Sequence, residues 1–119
     1  MDGSAGEVSL VVGDDDTAIA YGSGDVPVLA TPRVLALAEE AAVAAIAGQL
    51  PADQTSVGIH AELHHVKATQ IGGIVQARAV VTGRADRTVS FEFIVTEDGE
   101  TVAHGTHQRV VVDRERFGR

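Results

Sequence analysis

With 119 residues, a formal charge of −8 and no cysteine, the chain has room for one domain and lacks any disulfide, thiolate metal site or cysteine nucleophile. Nine basic residues against seventeen acidic ones leave no cationic stripe for nucleic acid, although a local arginine or lysine could still hold a small anion. No apolar run approaches the ~18 residues of a membrane span, and MDGSAGEVSL lacks a basic-then-apolar signal, so the expectation is a soluble cytoplasmic protein with no membrane partner.

Residues 1–6 are small and polar and read as a frayed end. Glu7–Val12 and Thr17–Tyr21 are β-like pieces, separated by Gly13-Asp14-Asp15-Asp16 as a hairpin turn or kink. The three aspartates lack the spacing and closing glutamate of a calcium loop, so a solvated turn explains them. Gly22–Leu29 is a loop leading into TPRVLALAEEAAVAAIAGQ, Thr31 to Gln49, the stretch that the remaining chain must wrap. Thr31 offers an N-cap oxygen, Pro32 suits the first helical position, and Gly48 with Pro51 supplies the stop. At about 100° per residue, Ala38, Ala41, Ala42 and Ala45 share one face, with Leu35 and Ile46 at its edge. Glu40 points away from that face, whereas Glu39 sits at its flank and can reach what the helix packs against.

From Asp53 onward the pattern has period two. Val57, Ile59, Ala61, Leu63 and His65 alternate with Ser56, Gly58, His60, Glu62 and His64. Ile74–Thr82 and Thr88–Thr96 follow as strands, each with an apolar face of valine, alanine or phenylalanine. Asp98-Gly99 is a tight-hairpin signal, and Thr101–Asp113 is the last strand before a charged tail. Four antiparallel strands in a meander expose an apolar face that the helix alone can cover. The sheet must curl around the helix, an α+β hot-dog architecture in one domain over residues 1–119.

Alternation places His65 on the helix-facing side and His64 on the other. A carboxylate and an imidazole are costly to bury separately, but together Glu39 and His65 make an acid/base pair. Thr31, at the mouth of the same helix, caps it or offers its hydroxyl to a substrate. His60-x-Glu62-x-His64 spaces possible metal ligands ~7 Å apart on a strand face, but no specific third ligand follows, so no metal is expected. His104-Gly105-Thr106-His107 reads as edge polarity, and no phosphate-cradling glycine loop or GxSxG elbow is present.

ATPRVLALAEEA, SVGIHAELHHVKATQIGG and GTHQRVVVDRERF together resemble the fluoroacetyl-CoA thioesterase type of hot-dog thioesterase, over Val28 to Phe117. The spacing that carries the resemblance is a Thr, a Glu eight residues on, a Gly seven residues ahead of a His, and an Arg in a closing GTHxR. The resemblance implies Thr31, Glu39 and His65 as catalytic residues, and Gly58 and Arg109 as substrate-binding ones. It implies an acyl-CoA substrate, no cofactor besides the CoA carried by that substrate, and a homodimer with its active sites at the interface. In one respect the chain departs from the pattern. Gly22–Leu29 is short and contains no phenylalanine, where the fluoroacetyl-specific member has a longer Phe-bearing lid, so the acyl group is not carried over.

The expected activity is therefore hydrolysis of a small acyl-CoA thioester. The alternatives are a hot-dog hydratase or dehydratase of acyl thioesters, and a non-catalytic binder of acyl or other small molecules. A binder has no need for a carboxylate and an imidazole on a buried face.

Overall fold

The computed structural model describes residues 3–117. Strand β1 (Ala5–Val11) leads through a 3-10 turn (Asp14–Asp16) and a one-turn helix α1 (Ala18–Tyr21) to the long helix α2 (Thr31–Ala45). Strands β2 (Gln54–His65), β3 (Ile74–Ala85), β4 (Thr88–Glu97) and β5 (Glu100–Asp113) follow, then a single turn α3 (Arg114–Phe117). The five strands form one antiparallel sheet in the order β1-β3-β4-β5-β2, curled over α2 in the α+β hot-dog arrangement.

The helix buries Val34, Leu37, Ala38, Ala41, Ala42 and Ala45, so four of its six core positions are alanine and the sheet approaches its backbone closely. Val75, Ala77, Ala79 and Val81 of β3, with Val89, Phe91, Phe93 and Val95 of β4, meet it from the sheet. Burying a Leu, Val or Phe side chain is worth about 1.5–3 kcal/mol. In so alanine-rich a core, Leu29, Leu37, Phe91 and Phe93 therefore carry a large share of the stabilisation. The helix packs chiefly on β1 and β3. The concave surface near the middle of β2 is left uncovered, and Gly58, Ile59 and Ala61 are exposed.

Several expectations are corrected. Residues 1–2 lie outside the described residues, but Ala5 and Gly6 are not frayed: they pair with Val80 and Ala79 as the start of an edge strand. Thr17–Tyr21 is not a strand. Thr17 Oγ1 accepts the Ala20 N–H at 3.2 Å, an N-cap that closes the turn of α1. The helix α2 begins at Thr31 with Ala30 as its N-cap residue, so Thr31 lies one position inside and its hydroxyl does not cap. Regular helix ends at Ala45, ahead of the Gly48 stop.

The meander is three strands rather than four. Strands β3, β4 and β5 are sequential neighbours, joined at one turn by Asp98 (φ 51°) and Gly99 (φ 81°), whose positive φ values suit a tight hairpin. Strand β2 pairs with β5 at the far edge instead of with β3. A two-residue turn forces neighbours, whereas the stretch 66–73 has enough reach to cross three strand spacings of ~4.8 Å each.

The faces of β2 differ from simple alternation in its first half. Gly58 pairs with Arg109 and His60 with Gln108, so Ile59 is the extra residue of a β-bulge. Past the bulge, Leu63 packs toward the core and His65 toward α2, as alternation requires. Ahead of it the parity inverts. Ser56 and Gly58 turn toward Glu39 and Arg109, on the side opposite to that expected.

Candidate active site

Two polar clusters lie along α2. At its N-terminal end, Thr31 Oγ1 and His65 Nδ1 are 2.8 Å apart. The hydroxyl released from capping is thus engaged by the imidazole across the helix–strand gap. The pair borders a cavity of about 300 Å³ that Val28, Leu29, Val66 and Lys67 also line. His65 Nε2 is buried and has no hydrogen-bond partner. Burial holds the His65 pKa below the ordinary histidine value, with the Lys67 backbone acting in the opposite sense. The ring is therefore neutral near pH 7, and one of its nitrogens is available for a proton or a hydrogen bond.

Midway along α2, Glu39 forms the second cluster. Its Oε2 lies 3.3 Å from Arg109 Nη1 and 3.9 Å from His107 Nε2. Its side chain is 42% exposed, so solvent or substrate reaches it, whereas that of Arg109 is 9% exposed. Gly58 completes this corner. A Cβ there would stand 2.5 Å from Glu39 Oε2 and 3.1 Å from His107 Cε1, so any side chain would displace the carboxylate. Arg109 is held further by Ser56, donating from Nε to Oγ at 2.8 Å and from Nη2 to the backbone carbonyl at 3.1 Å. Burial lowers the Arg109 pKa and Glu39 raises it, but a guanidinium remains charged throughout the useful pH range.

Within one chain the two clusters are separate. Eight helical residues put Thr31 and Glu39 about 12 Å apart along the axis. The strand from Gly58 to His65 covers roughly 20 Å. Glu39 and His65, expected as neighbours, are therefore not in contact inside the protomer: Thr31 engages His65, and Arg109 engages Glu39. Glu40 and His64 fall where helix phase and strand parity put them. Glu40 bonds outward to Arg33, which also binds Asp16. His64 stacks on His104 on the convex face, with ring centroids 5.1 Å apart. Among the described residues, no three His, Cys, Asp or Glu side chains come together in a way that could hold a metal ion.

Sequence reasoning missed His107 and Ser56. His107 reads with His104 as edge polarity, yet it is 2% exposed and bonded to Arg109. Its even spacing from Arg109 was the available signal, since i and i+2 share a strand face. Ser56 carried no such signal, because the bulge that turns it inward leaves no mark on the alternation.

Comparison with solved structures gives the class of protein. The fluoroacetyl-CoA thioesterase FlK superposes with a TM-score of 0.91 at 27% identity, covering 99% of this chain and 92% of that one. A mutant of FlK in complex with acetyl-CoA matches at TM-score 0.92 and 24% identity, over 99% and 93% of the two chains. A Thermus thermophilus hypothetical protein, a thioesterase superfamily member, has the same fold at TM-score 0.91 and 18% identity, over 99% and 88%. No curated protein sequence matches significantly. Fold and neighbours define a thioesterase of the hot-dog class, a hydrolase of acyl-CoA thioesters. The family model for fluoroacetyl-CoA-specific thioesterases matches residues 12–115, and the chain belongs to that family. Among the described residues no helix is long and apolar enough to cross a membrane.

Proposed function

We propose that the protein hydrolyses a small acyl-CoA thioester as a homodimer, at sites built from the Thr31–His65 pair of one chain and the Glu39–Gly58–Arg109 corner of the other. The observation that carries this reading is the separation of the two clusters within one chain: Thr31 engages His65, while the solvent-accessible carboxylate of Glu39 is held by Arg109. Each half supplies what the other lacks. Strand β2 is a sheet edge with Ile59 54% exposed, and such an edge favours pairing with another strand. Gly58 and His65 lie at similar distances on either side of Ala61 and Glu62. Antiparallel pairing of β2 with its copy, centred there, brings the Gly58 corner of one chain opposite the His65 end of the other, twice by symmetry.

In that site Glu39 provides the oxygen nucleophile at the thioester carbonyl, as its own carboxylate oxygen or as a water that it deprotonates. A backbone N–H beside Gly58 receives the developing oxyanion, because glycine lets the carbonyl approach the main chain. The carbon–sulfur bond breaks, and the proton lost by the attacking water, or by the water that later hydrolyses the glutamyl anhydride, passes by way of His65, oriented by Thr31, to the CoA thiolate. Arg109 fixes Glu39 and carries no proton itself. The acetyl-CoA complex of the FlK mutant supports an acyl-CoA ligand here. The short, Phe-free segment Gly22–Leu29 argues against a fluoroacetyl preference.

Free-thiol release from a series of short acyl-CoAs tests the reaction, and no release from any of them would reject it. A monomer mass by light scattering at micromolar concentration would reject the shared site. Single turnover in ¹⁸O-water with hydroxylamine trapping then separates the two roles of Glu39: label retained on the protein or a trapped glutamyl anhydride means attack by the carboxylate, and label in the acid product with nothing trapped means water.

A further inference from the structure

His107 stacks on Phe91, with ring centroids 5.9 Å apart, and its hydrogen bonds assign its tautomer. Nδ1 lies 2.7 Å from the His60 carbonyl oxygen. A carbonyl only accepts, so Nδ1 carries the proton, and the neutral ring presents a lone pair at Nε2. Arg109 Nη1 donates to that lone pair at 3.1 Å. The arginine's donors are then nearly all committed. Nε serves Ser56 Oγ, Nη2 serves the Ser56 carbonyl, one Nη1 hydrogen serves His107, and the other serves Glu39 Oε2 at 3.3 Å. A bidentate fork would need two parallel N–H groups aimed at both carboxylate oxygens, at the usual ~2.7–2.9 Å. Here Glu39 receives one hydrogen, at longer range.

We propose that His107 is a positioning residue: by accepting one Nη1 hydrogen it restricts Arg109 to a single contact with Glu39, so that the carboxylate is held beside Gly58 without being tied up on both oxygens. The proposal rests on the reading of Glu39 as the reacting carboxylate. The same geometry requires a neutral ring. A proton on Nε2 would replace an acceptor with a donor facing the guanidinium, placing two cations side by side. The groups facing the imidazole are Arg109 on its own strand, Glu39 from α2, His60 from β2 and the uncharged Phe91 from β4. Burial holds the His107 pKa below the ordinary value and Arg109 adds to this, against the His60 carbonyl and Glu39.

The test is a pair of variants that split the ring's two roles. In His107→Asn the amide N–H can still reach the His60 carbonyl, but no acceptor stands at the Nε2 position. In His107→Gln the amide oxygen can reach Arg109, and the His60 bond is lost. We expect kcat to fall about tenfold in His107→Asn with KM little changed, the scale of one hydrogen bond to a charged group. His107→Gln should stay within a few-fold of the parent and lose any acidic limb of the kcat profile that His107 protonation creates. Equal losses in both variants, or none in either, would reduce His107 to a core residue. A second readout needs no turnover: ring ¹⁵N NMR of the resting protein should show the Nδ1–H tautomer, protonating only below the ordinary histidine value. A proton on Nε2, or titration at the ordinary histidine value, overturns the proposal, while an inactive parent protein fails only the thioesterase reading.

Discussion

The two clusters along α2 are built on opposite principles. The Glu39 corner is over-determined: three hydrogen bonds to Ser56 and His107 fix Arg109 before a fourth reaches the carboxylate. The Thr31–His65 pair is under-determined, with one hydrogen bond and a buried Nε2 that has no partner. A buried polar atom without a partner is costly, whereas a fully satisfied network rigidifies its surroundings. The comparison teaches which of the two is closed. The charged corner is satisfied inside the chain, whereas the neutral pair is held by a single side-chain bond beside an open cavity.

The largest expected effects break each cluster at its reacting atom. If the clusters act together across two chains, Glu39→Gln and His65→Ala should each lower turnover by about 10²-fold or more. Their combination should cost little beyond either one, since groups acting as a unit fail together. Mixing the two inactive variants sharpens the point. Heterodimers carrying one chain of each kind hold one site with both defects and one with neither, so roughly half of the parental activity should return to the heterodimer. If mixing restores nothing while heterodimers demonstrably form, the sharing of sites between chains is wrong.

A smaller effect is expected from Gly58→Ala, which crowds the charged corner without removing a group. The added methyl would stand 2.5 Å from Glu39 Oε2, and the carboxylate is the mobile party because Arg109 is pinned by Ser56. Turnover should drop about tenfold, one hydrogen bond's worth of misplacement. Thermal stability should move little, because the displaced side chain is partly exposed. An alanine variant with parental kcat would mean that the Glu39 position seen here is not the reacting one.

Acidification tests both clusters at once. His65 and His107 each have a pKa held below the unfolded value of about 6.5, in both cases first by burial. Between the folded and unfolded pKa values the unfolded chain binds more protons, so stability rises with pH there. The contribution is fully present above about pH 6.5 and is lost as pH falls from there toward the depressed folded values. The thermal midpoint should decline on going from pH 7 to 5.5, and His107→Gln should flatten part of that decline. A midpoint that stays level or rises over this range contradicts burial of the two rings in neutral form.

Much of this was legible in the residue pattern, and what was not has identifiable causes. The phase of α2 separated Glu39 from Glu40, because a helix this rich in alanine has one clear packing face. Alternation separated His65 from His64, and it held in β3 and β4, which run without interruption through their apolar positions. It failed in the first half of β2 because one extra residue, Ile59, inverts the faces without altering composition. The position of β2 beside β5 was equally hidden, since a connection longer than a tight turn does not dictate its neighbour. Thr17–Tyr21 looked strand-like, yet a Thr cap and Gly22 made it a helical turn, local chemistry prevailing over a short apolar run. A Thr-Pro pair usually signals a cap, but Thr31 lies one position inside the helix. The hydroxyl goes to His65 instead.

The smallest expected effects are the most discriminating, because they come from neighbours of the same chemistry. Glu40 shares the helix turn with Glu39 but pairs with Arg33 at 3.0 Å, and its side chain is 51% exposed. A pair this exposed contributes ~0–1 kcal/mol, so Glu40→Gln should leave both fold and turnover within a few-fold of the parent. His64 lies next to His65 but stacks on His104 on the convex face, away from α2. His64→Ala should be similarly mild, whereas His65→Ala is not. The two comparisons fail for different reasons. If His64→Ala costs as much as His65→Ala, the register of β2 past the bulge is misread. If Glu40→Gln costs as much as Glu39→Gln, the loss comes from charge near α2 in general rather than from a carboxylate set against Gly58. Steady-state hydrolysis of one short acyl-CoA by the four variants, with circular dichroism to confirm folding, distinguishes these outcomes.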